Sequence, residues 1–239
     1  MNLKNKIIVL TGGTSGIGKA LASTLEEHGS KVIILARNRS RLLKMKKNKM
    51  GGKNFTYRLD LASYVQISQA AKKILSEHRR IDWLINCAGT INSAKKIEES
   101  SRQEITDTFN VNTLAPIYLI QKLLPSIKKN GGILNIVSTA GLEANGRFPL
   151  YSASKAGLIS FSQAVNKRFL FDEPRRNLRC LTICPGPTNT PMRDRIAGDA
   201  RQHQEPSLVA DYIVKIINSP TVYKGDKIIV IQKGKVRLR

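Results

Sequence analysis

The chain of 239 residues is short of acid, of aromatics and of cysteine, and it has no long apolar run. Only 17 aspartates and glutamates stand against 40 lysines and arginines, a net charge of +23. That excess disfavours cationic partners and favours anionic ones: nucleotide phosphates, acidic proteins, nucleic acid or anionic surfaces. A lysine-rich solvated surface would carry the same surplus, and charge speaks to partners rather than to fold. Aromatic residues make up 5%, with a single tryptophan. No stretch interleaves them with basic residues as a stacking platform would, so specific nucleic-acid binding is not expected. The three cysteines match no zinc or redox spacing. Cys180 and Cys184 fall in one expected strand, where four residues cover about 13 Å, beyond the roughly 7 Å Cα separation a disulfide tolerates. All three thiols are expected to be free and buried. His28, His78 and His203 are scattered, and no metal site is expected. No run of about 18 apolar residues exists to cross a membrane, and "IIVL" near the start is too short for a secretory leader. A cytoplasmic location without membrane insertion is expected.

What the chain does have is alternation. Short β-branched runs at 6–11, 31–36, 55–59, 82–87, 132–138, 179–184 and 227–231 are separated by helical stretches near 17–28, 63–78, 100–129, 150–170 and 207–218. This is the pattern of a parallel sheet wrapped by helices. Most of the runs are near-continuously apolar, so both sheet faces should be covered. Pro116 and Pro125 should kink or end parts of the third helix. The length suits one α/β domain. Residues 37–53 read as a basic helix turning at Gly51-Gly52, and residues 187–206 as a short lid over a pocket.

Directly after the first strand comes "TGGTSGIG", residues 11–18. Glycines there permit a tight turn and close approach of the backbone to a pyrophosphate, which the next helix meets with free N–H groups and its positive dipole end. At the end of the second strand a carboxylate would hydrogen-bond the ribose 2′-hydroxyl of NAD, whereas an arginine accommodates a 2′-phosphate. Here "LARNR" offers Arg37 and Arg39 and no acid. The expectation is NADP(H), with Arg37 as phosphate clamp and Ser15 or Arg39 as helpers.

At 151–155 the chain reads "YSASK". On a helix Tyr151 and Lys155 share a face about 6 Å apart. A positive charge about 4 Å from the phenol, at an effective dielectric of about 20, is worth roughly 4 kcal/mol or about 3 pKa units. That shift would ready a tyrosine for general acid/base work. Such pairs also occur by chance on amphipathic helices.

Taken together, "TGGTSGIG", "DL" at 60–61, "NCAG" at 86–89, Asn112 in "NVN", "IVS" ending at Ser138, "YSASK" and "PGPTNTP" at 185–191 resemble the short-chain dehydrogenase/reductase family in order and spacing. The resemblance spans nearly the whole chain. It implies an α/β, Rossmann-like, doubly wound fold: a seven-stranded parallel sheet flanked by helices on both faces in one domain, residues 1–239. It implies an oxidoreductase that moves a hydride between NADP(H) and a carbonyl or alcohol carbon. Tyr151 would be the general acid, Lys155 would tune it and hold the nicotinamide ribose, Ser138 would hydrogen-bond the substrate oxygen, and Asn112 would hold a relay water. Gly12, Thr14, Ser15, Gly16, Ile17 and Gly18 would cradle the phosphates. Asp60 and Leu61 would meet the adenine, Asn86, Ala88 and Gly89 would line the groove, and Pro185, Gly186 and Thr188 would lie along the nicotinamide. Cys87 departs from the second asparagine the family often places there.

Within that class the substrate is either a free small carbonyl compound or one borne on an acidic carrier protein, as in the similar 3-oxoacyl carrier-protein reductases. A homo-oligomer is implied, with a dimer through the helices at 100–129 and 150–170 expected. The ending "KGKVRLR" is unlike the apolar C-termini many members use in tetramers. A different class stays open: an NADP-binding regulatory protein with little turnover that presents its basic surface to an acidic partner.

Overall fold

Among the described residues the seven expected runs form parallel strands of one sheet, and an eighth strand joins them at the edge. The computed structural model describes residues 3–47, 55–92, 96–172, 174–194, 196, 203–219 and 227–239. The expected turn at Gly51-Gly52 and residues 195 and 197–202 of the expected lid lie outside the described residues.

The strands are β1 (Ile7–Thr11), β2 (Lys31–Ala36), β3 (Phe55–Arg58), β4 (Ile81–Asn86), β5 (Ile127–Ile136), β6 (Arg179–Pro185), β7 (Ile228–Gln232) and β8 (Lys235–Leu238). The helices are α1 (Gly16–Glu27), α2 (Arg39–Lys47), α3 (Tyr64–Glu77), α4 (Arg102–Phe109), α5 (Ala115–Leu123), α6 (Pro149–Asp172), α7 (Pro191–Asp194) and α8 (Pro206–Asn218). None is long and apolar enough to cross a membrane, among the described residues. The sheet order is β3-β2-β1-β4-β5-β6-β7-β8. The chain runs outward from β1 to β3, then returns to lay β4 on the other side of β1. That reversal opens a crevice at the carboxyl ends of β1 and β4, where open α/β sheets bind ligands.

Strand alternation explains the two-sided core. Ile8, Leu10, Val32 and Ile34 face α1 and α8, which supply Leu21, Leu25, Ile213 and Ile217. Val9, Ile33 and Leu35 face α3 and α5, which supply Ile67, Ile74, Leu119 and Leu123. All of these side chains are buried completely. At the amino ends of the strands, buried Asp82 accepts hydrogen bonds from the Ile7 amide (2.9 Å) and from Lys6 Nζ (3.0 Å). It thereby ties β4 to the start of β1, far from the crevice.

Three differences from the sequence expectation have local causes. The helical stretch expected over 100–129 is α4, a π-helical turn at Asn110–Leu114, α5, and a 3-10 turn at Leu124–Ser126. Pro116 sits in the first turn of α5, where its missing N–H costs nothing. Residues 127–129 are strand, because β5 starts at Ile127 and breaks register through left-handed Asn130 (φ 63°). The eighth strand, β8, pairs antiparallel with β7. The Lys233-Gly234 turn between them has φ of 50° and 67°, the positive pair that a two-residue hairpin turn demands. Lys235 and Arg237 keep this new edge charged, which discourages edge-to-edge association.

The thiols are free. Cys180 and Cys184 are buried, but Cys87, expected to be buried too, is only partly so, because it lies just past β4 on the crevice. His28 ends α1, His78 ends α3 and His203 lies beside Arg193. Among the described residues no cluster of three or more metal-ligating side chains occurs.

Candidate active site

The floor of the crevice is backbone pinned by a threonine side chain. Thr11 Oγ1, at the end of β1, accepts hydrogen bonds from the amides of Cys87 and Ala88, both at 3.0 Å. The loop after β4 is thus strapped against the glycine turn. Gly12 has φ of 74°, and a Cβ there would fall 2.9 Å from the Ala88 Cα, so both backbone shape and space require glycine. Thr14, Ser15, Gly16 and Ile17 continue the turn and are partly exposed, while Gly18 is buried in the first turn of α1. Ser15 occupies the N-cap position, yet its hydroxyl makes no cap hydrogen bond, and no acid stands in the first turn of α1. Both the hydroxyl and the positive helix end are left for an anionic group.

Arg37 and Arg39 are exposed just beyond the carboxyl end of β2. Asn38 between them accepts from the Arg41 amide (3.0 Å) and the Ser40 hydroxyl (2.8 Å) to start α2. Arg58, which the sequence reading did not single out, is exposed and in register with Ala36 on the neighbouring strand. Three guanidinium groups therefore belong to this corner. Asp60 accepts from the Ala62 amide at 3.0 Å, and it and Leu61 are partly exposed at the end of β3. Asn86 is buried, donates to Asn135 Oδ1 at 2.8 Å and keeps its own Oδ1 buried without a partner among the described residues. Asn135 in turn donates to Ser162 of α6 at 2.8 Å. This Asn86–Asn135–Ser162 chain bolts α6 to the centre of the sheet.

Helix α6 carries Tyr151 and Lys155. Its buried stripe is Ser152, Lys155, Leu158, Ile159, Ser162, Asn166 and Phe169, with serines small enough to let the helix approach the sheet. Lys155 is 3% exposed, and its Nζ lies 5.7 Å from the centre of the Tyr151 ring. A Cβ on Gly89 would sit 3.4 Å from that Nζ and 3.2 Å from Asn112 Oδ1. Gly89 thus holds open the floor in front of the lysine. The Tyr151 side chain hydrogen-bonds Ser138, which follows β5. Ser138 Oγ also accepts from the Ala140 amide at 3.1 Å.

Asn112 lies in the π-helical turn and is fully buried. Its Oδ1 accepts from the Thr90 amide (2.8 Å), and its Nδ2 donates to the Thr90 carbonyl (2.9 Å) and to Ser154 Oγ (3.0 Å). The carboxamide is committed at both ends to holding the loop after β4 against α6. A π turn widens the helix at one point and frequently marks a functional site.

The electrostatics differ from the simple Coulomb expectation. Burial pushes the Tyr151 hydroxyl up. The Ser138 hydrogen bond opposes that rise, and Cys184 adds to it. Burial drops the Lys155 ammonium to about 8, with the neighbouring thiols Cys87 and Cys184 pulling it back up. Burial likewise raises Cys87 to about 12 and Cys184 to about 11. Helical spacing implies the attraction between phenol and ammonium but carries no sign of the cost of dehydrating both.

On the far wall, Pro185 ends β6 and Gly186 follows it, both buried. Buried Thr188 donates to the Gly186 carbonyl at 2.9 Å. Gln204 clamps the two ends of the 187–206 segment together. Its Nε2 donates to the Ile231 carbonyl (3.0 Å), and the Asn189 amide donates to the Gln204 carbonyl (3.0 Å). Thr11, Asn135, Ser154, Ser162, Arg58 and Gln204 were missed in the sequence because each acts through a partner far along the chain.

The fold positions a glycine-rich turn, a positive corner, and a tyrosine and a serine around a buried lysine along one crevice. These residues fit a nicotinamide dinucleotide: the space in front of Lys155 at Gly89 would be filled by any Cβ, and the buried Asn86 oxygen has no partner among the described residues. Comparison with known proteins gives the same direction. A family model for short chain dehydrogenase matches residues 6–201. An uncharacterized oxidoreductase of Staphylococcus saprophyticus is 30% identical over 226 residues, covering 92% of this chain and 94% of that protein. The 3-oxoacyl-[acyl-carrier-protein] reductase of Thermotoga maritima is 28% identical over 250 residues, covering 99% of this chain and all of the relative. Among solved structures, a short chain dehydrogenase from Burkholderia cenocepacia in complex with NADP superposes with a TM-score of 0.86 at 23% identity, covering 97% and 98% of the two chains.

Proposed function

The chain belongs to the short chain dehydrogenase family, and on that premise we propose that it is an NADPH-dependent reductase converting a carbonyl compound to an alcohol. The observation that carries the reading is a dehydrated lysine, 3% exposed, next to a tyrosine that is itself hydrogen-bonded to Ser138. A buried cation without a carboxylate partner is costly, and such perturbed groups cluster at working sites.

When bound, the reduced nicotinamide would supply the hydride. Gly12, Thr14, Ser15, Gly16, Ile17 and Gly18 would hold its phosphates, Asp60, Leu61, Asn86, Ala88 and Gly89 its adenosine side and groove, and Lys155, Pro185, Gly186 and Thr188 its nicotinamide side. As negative charge develops on the substrate oxygen, Ser138 and Tyr151 donate to it, stabilising it where it appears. Tyr151 then gives up its proton to that oxygen. Burial raises the phenol above its ordinary value, so Tyr151 meets the substrate oxygen as a proton donor. Lys155 stabilises the phenolate left behind, and Asn112 keeps the wall around both residues rigid. The segment at 187–206 serves as a short lid.

The protein works in the cytoplasm, where its free thiols stay reduced. It acts as a homodimer through α4, α5 and α6, which still expose Ile105, Leu170 and Phe171. The substrate is a small free carbonyl compound or one presented by an acidic carrier protein. A regulatory protein without turnover is disfavoured by the intact Ser138, Tyr151 and Lys155. NADPH consumption against diketones, quinones, keto-sugars and acyl thioesters tests the reading, and silence across the panel would end it.

Cofactor choice has its own test. Arg37→Ala removes a charge-assisted contact to the 2′-phosphate, and KM for NADPH should rise about 10- to 100-fold while KM for NADH stays put. Equal kinetics in the variant, or a native preference for NADH, would contradict the arginine reading.

A further inference from the structure

Beside Tyr151 opens a shallow groove lined by Asn92, Ser100, Arg147, Phe148, Pro149 and Leu150. No carboxylate is among its lining residues, and one guanidinium is. Arg147 is exposed and has no ion-pair partner among the described residues. Glu143, the one acid in residues 139–150, is taken by Arg239 at 3.3 Å. The carboxylates of Glu99 and Glu104, near Ser100, accept from the Lys96 and Ser101 amides.

The arginine is not carried on a loose loop. Its amide donates to Asn145 Oδ1 at 3.0 Å, the Asn145 amide donates to Ser152 Oγ at 3.0 Å, and the Phe148 amide donates to the Asn145 carbonyl at 2.9 Å. The turn is thereby fastened to α6, the helix that carries Tyr151. The guanidinium rests over the ring of buried Phe148, 5.6 Å from its centre. That placement leaves its N–H edge free for an oxyanion. The start of α6, which has no acid in its first turn, adds its positive dipole end to the same groove.

We propose that Arg147 is an anion anchor, and that the preferred substrates are small carbonyl compounds carrying a carboxylate or phosphate, bound with the anionic group on Arg147 and the carbonyl turned to Tyr151. This rests on the reductase reading above. It explains why a cation stands uncompensated beside the proposed acid, and it narrows the substrate class from any ketone to an anionic one.

The test compares matched probes that differ in charge: acetoacetate with methyl acetoacetate, and dihydroxyacetone phosphate with dihydroxyacetone. The carboxylate and phosphate pairs distinguish the two sources of the anion. In the wild type at least one pair should show kcat/KM about tenfold or more in favour of the anion. Arg147→Ala should raise KM for that anion by about tenfold with little change in kcat, and leave the neutral probe within about twofold. Arg147→Lys should recover part of the preference, which a merely structural role would not predict. The melting temperature of both variants should match the wild type, since the side chain is exposed.

Neutral probes turned over as well as their anionic partners would overturn the anchor while sparing the reductase. So would a preference left intact in Arg147→Ala, which would assign it to the general +23 field. Absence of NADPH oxidation with every carbonyl, neutral ones included, would remove the reductase reading and the anchor with it.

Discussion

Tyr151→Phe should lower kcat for NADPH-dependent carbonyl reduction by about 10³-fold, within the 10² to 10⁴ that a positioned general acid contributes. The ring stays, so its contact with Lys155 across 5.7 Å survives. Only the hydroxyl and its Ser138 hydrogen bond are lost. NADPH affinity, read by fluorescence titration, should therefore change by no more than about twofold, and the loss should sit in kcat rather than in KM. A variant that keeps its turnover would remove Tyr151 from the chemistry. A variant that instead loses cofactor affinity would make the tyrosine a binding group.

Lys155→Met should separate function from stability in opposite directions. Activity should fall by about 10² to 10³, as the phenolate loses its neighbouring charge and the ribose its partner. The folded protein should nevertheless become more stable at neutral pH. The ammonium is depressed from its ordinary 10.5 to about 8 by burial, a cost of roughly 3 kcal/mol at pH 7 that methionine of similar length does not incur. Between pH 8 and 10.5 the unfolded chain still binds a proton that the folded chain has released, so this group makes wild-type stability climb with pH across that window. Below 8 its full cost is felt, and above 10.5 none. Urea unfolding at pH 7 and pH 10 should show the variant's advantage shrinking towards the higher pH. A destabilised variant at pH 7 would mean the lysine has a compensating partner in solution. In the same range, wild-type kcat/KM for reduction should decline as pH rises through about 8, where Lys155 discharges in the free enzyme.

The sheet was legible because hydrophobic runs buried on both faces leave a signature of local composition. Ile8 to Leu10, Val32 to Leu35 and Leu84 with Ile85 read as strand without any partner being known, and each is wholly buried. The glycine turn was legible for a similar reason, since Gly12 must adopt a positive φ beside Ala88 whatever surrounds it. Failures came where the deciding force lay elsewhere. The charged β8 hid its alternation, though Lys233-Gly234 between "IIVIQ" and "KVRL" was a readable hairpin signal. The π turn at Asn112 is set by Thr90 and Ser154, respectively 22 and 42 residues away. The pairing of Tyr151 with Lys155 followed from helical spacing, but the direction of the phenol's shift depends on dehydration that no spacing reveals. Nothing in the sequence around Arg147 sets it apart from other surface arginines, because the acid nearest it in the chain, Glu143, pairs with Arg239, 96 residues away.

The most direct measurement is transfer of isotope. With NADPH deuterated at the transferable position of the ring and 2,3-butanedione as acceptor, mass spectrometry of the product should find one deuterium on the new carbinol carbon in the wild type and almost none accumulating in Tyr151→Phe over the same time. Product formed without the label, or labelled product formed equally fast by the variant, would contradict hydride delivery in a site completed by that tyrosine.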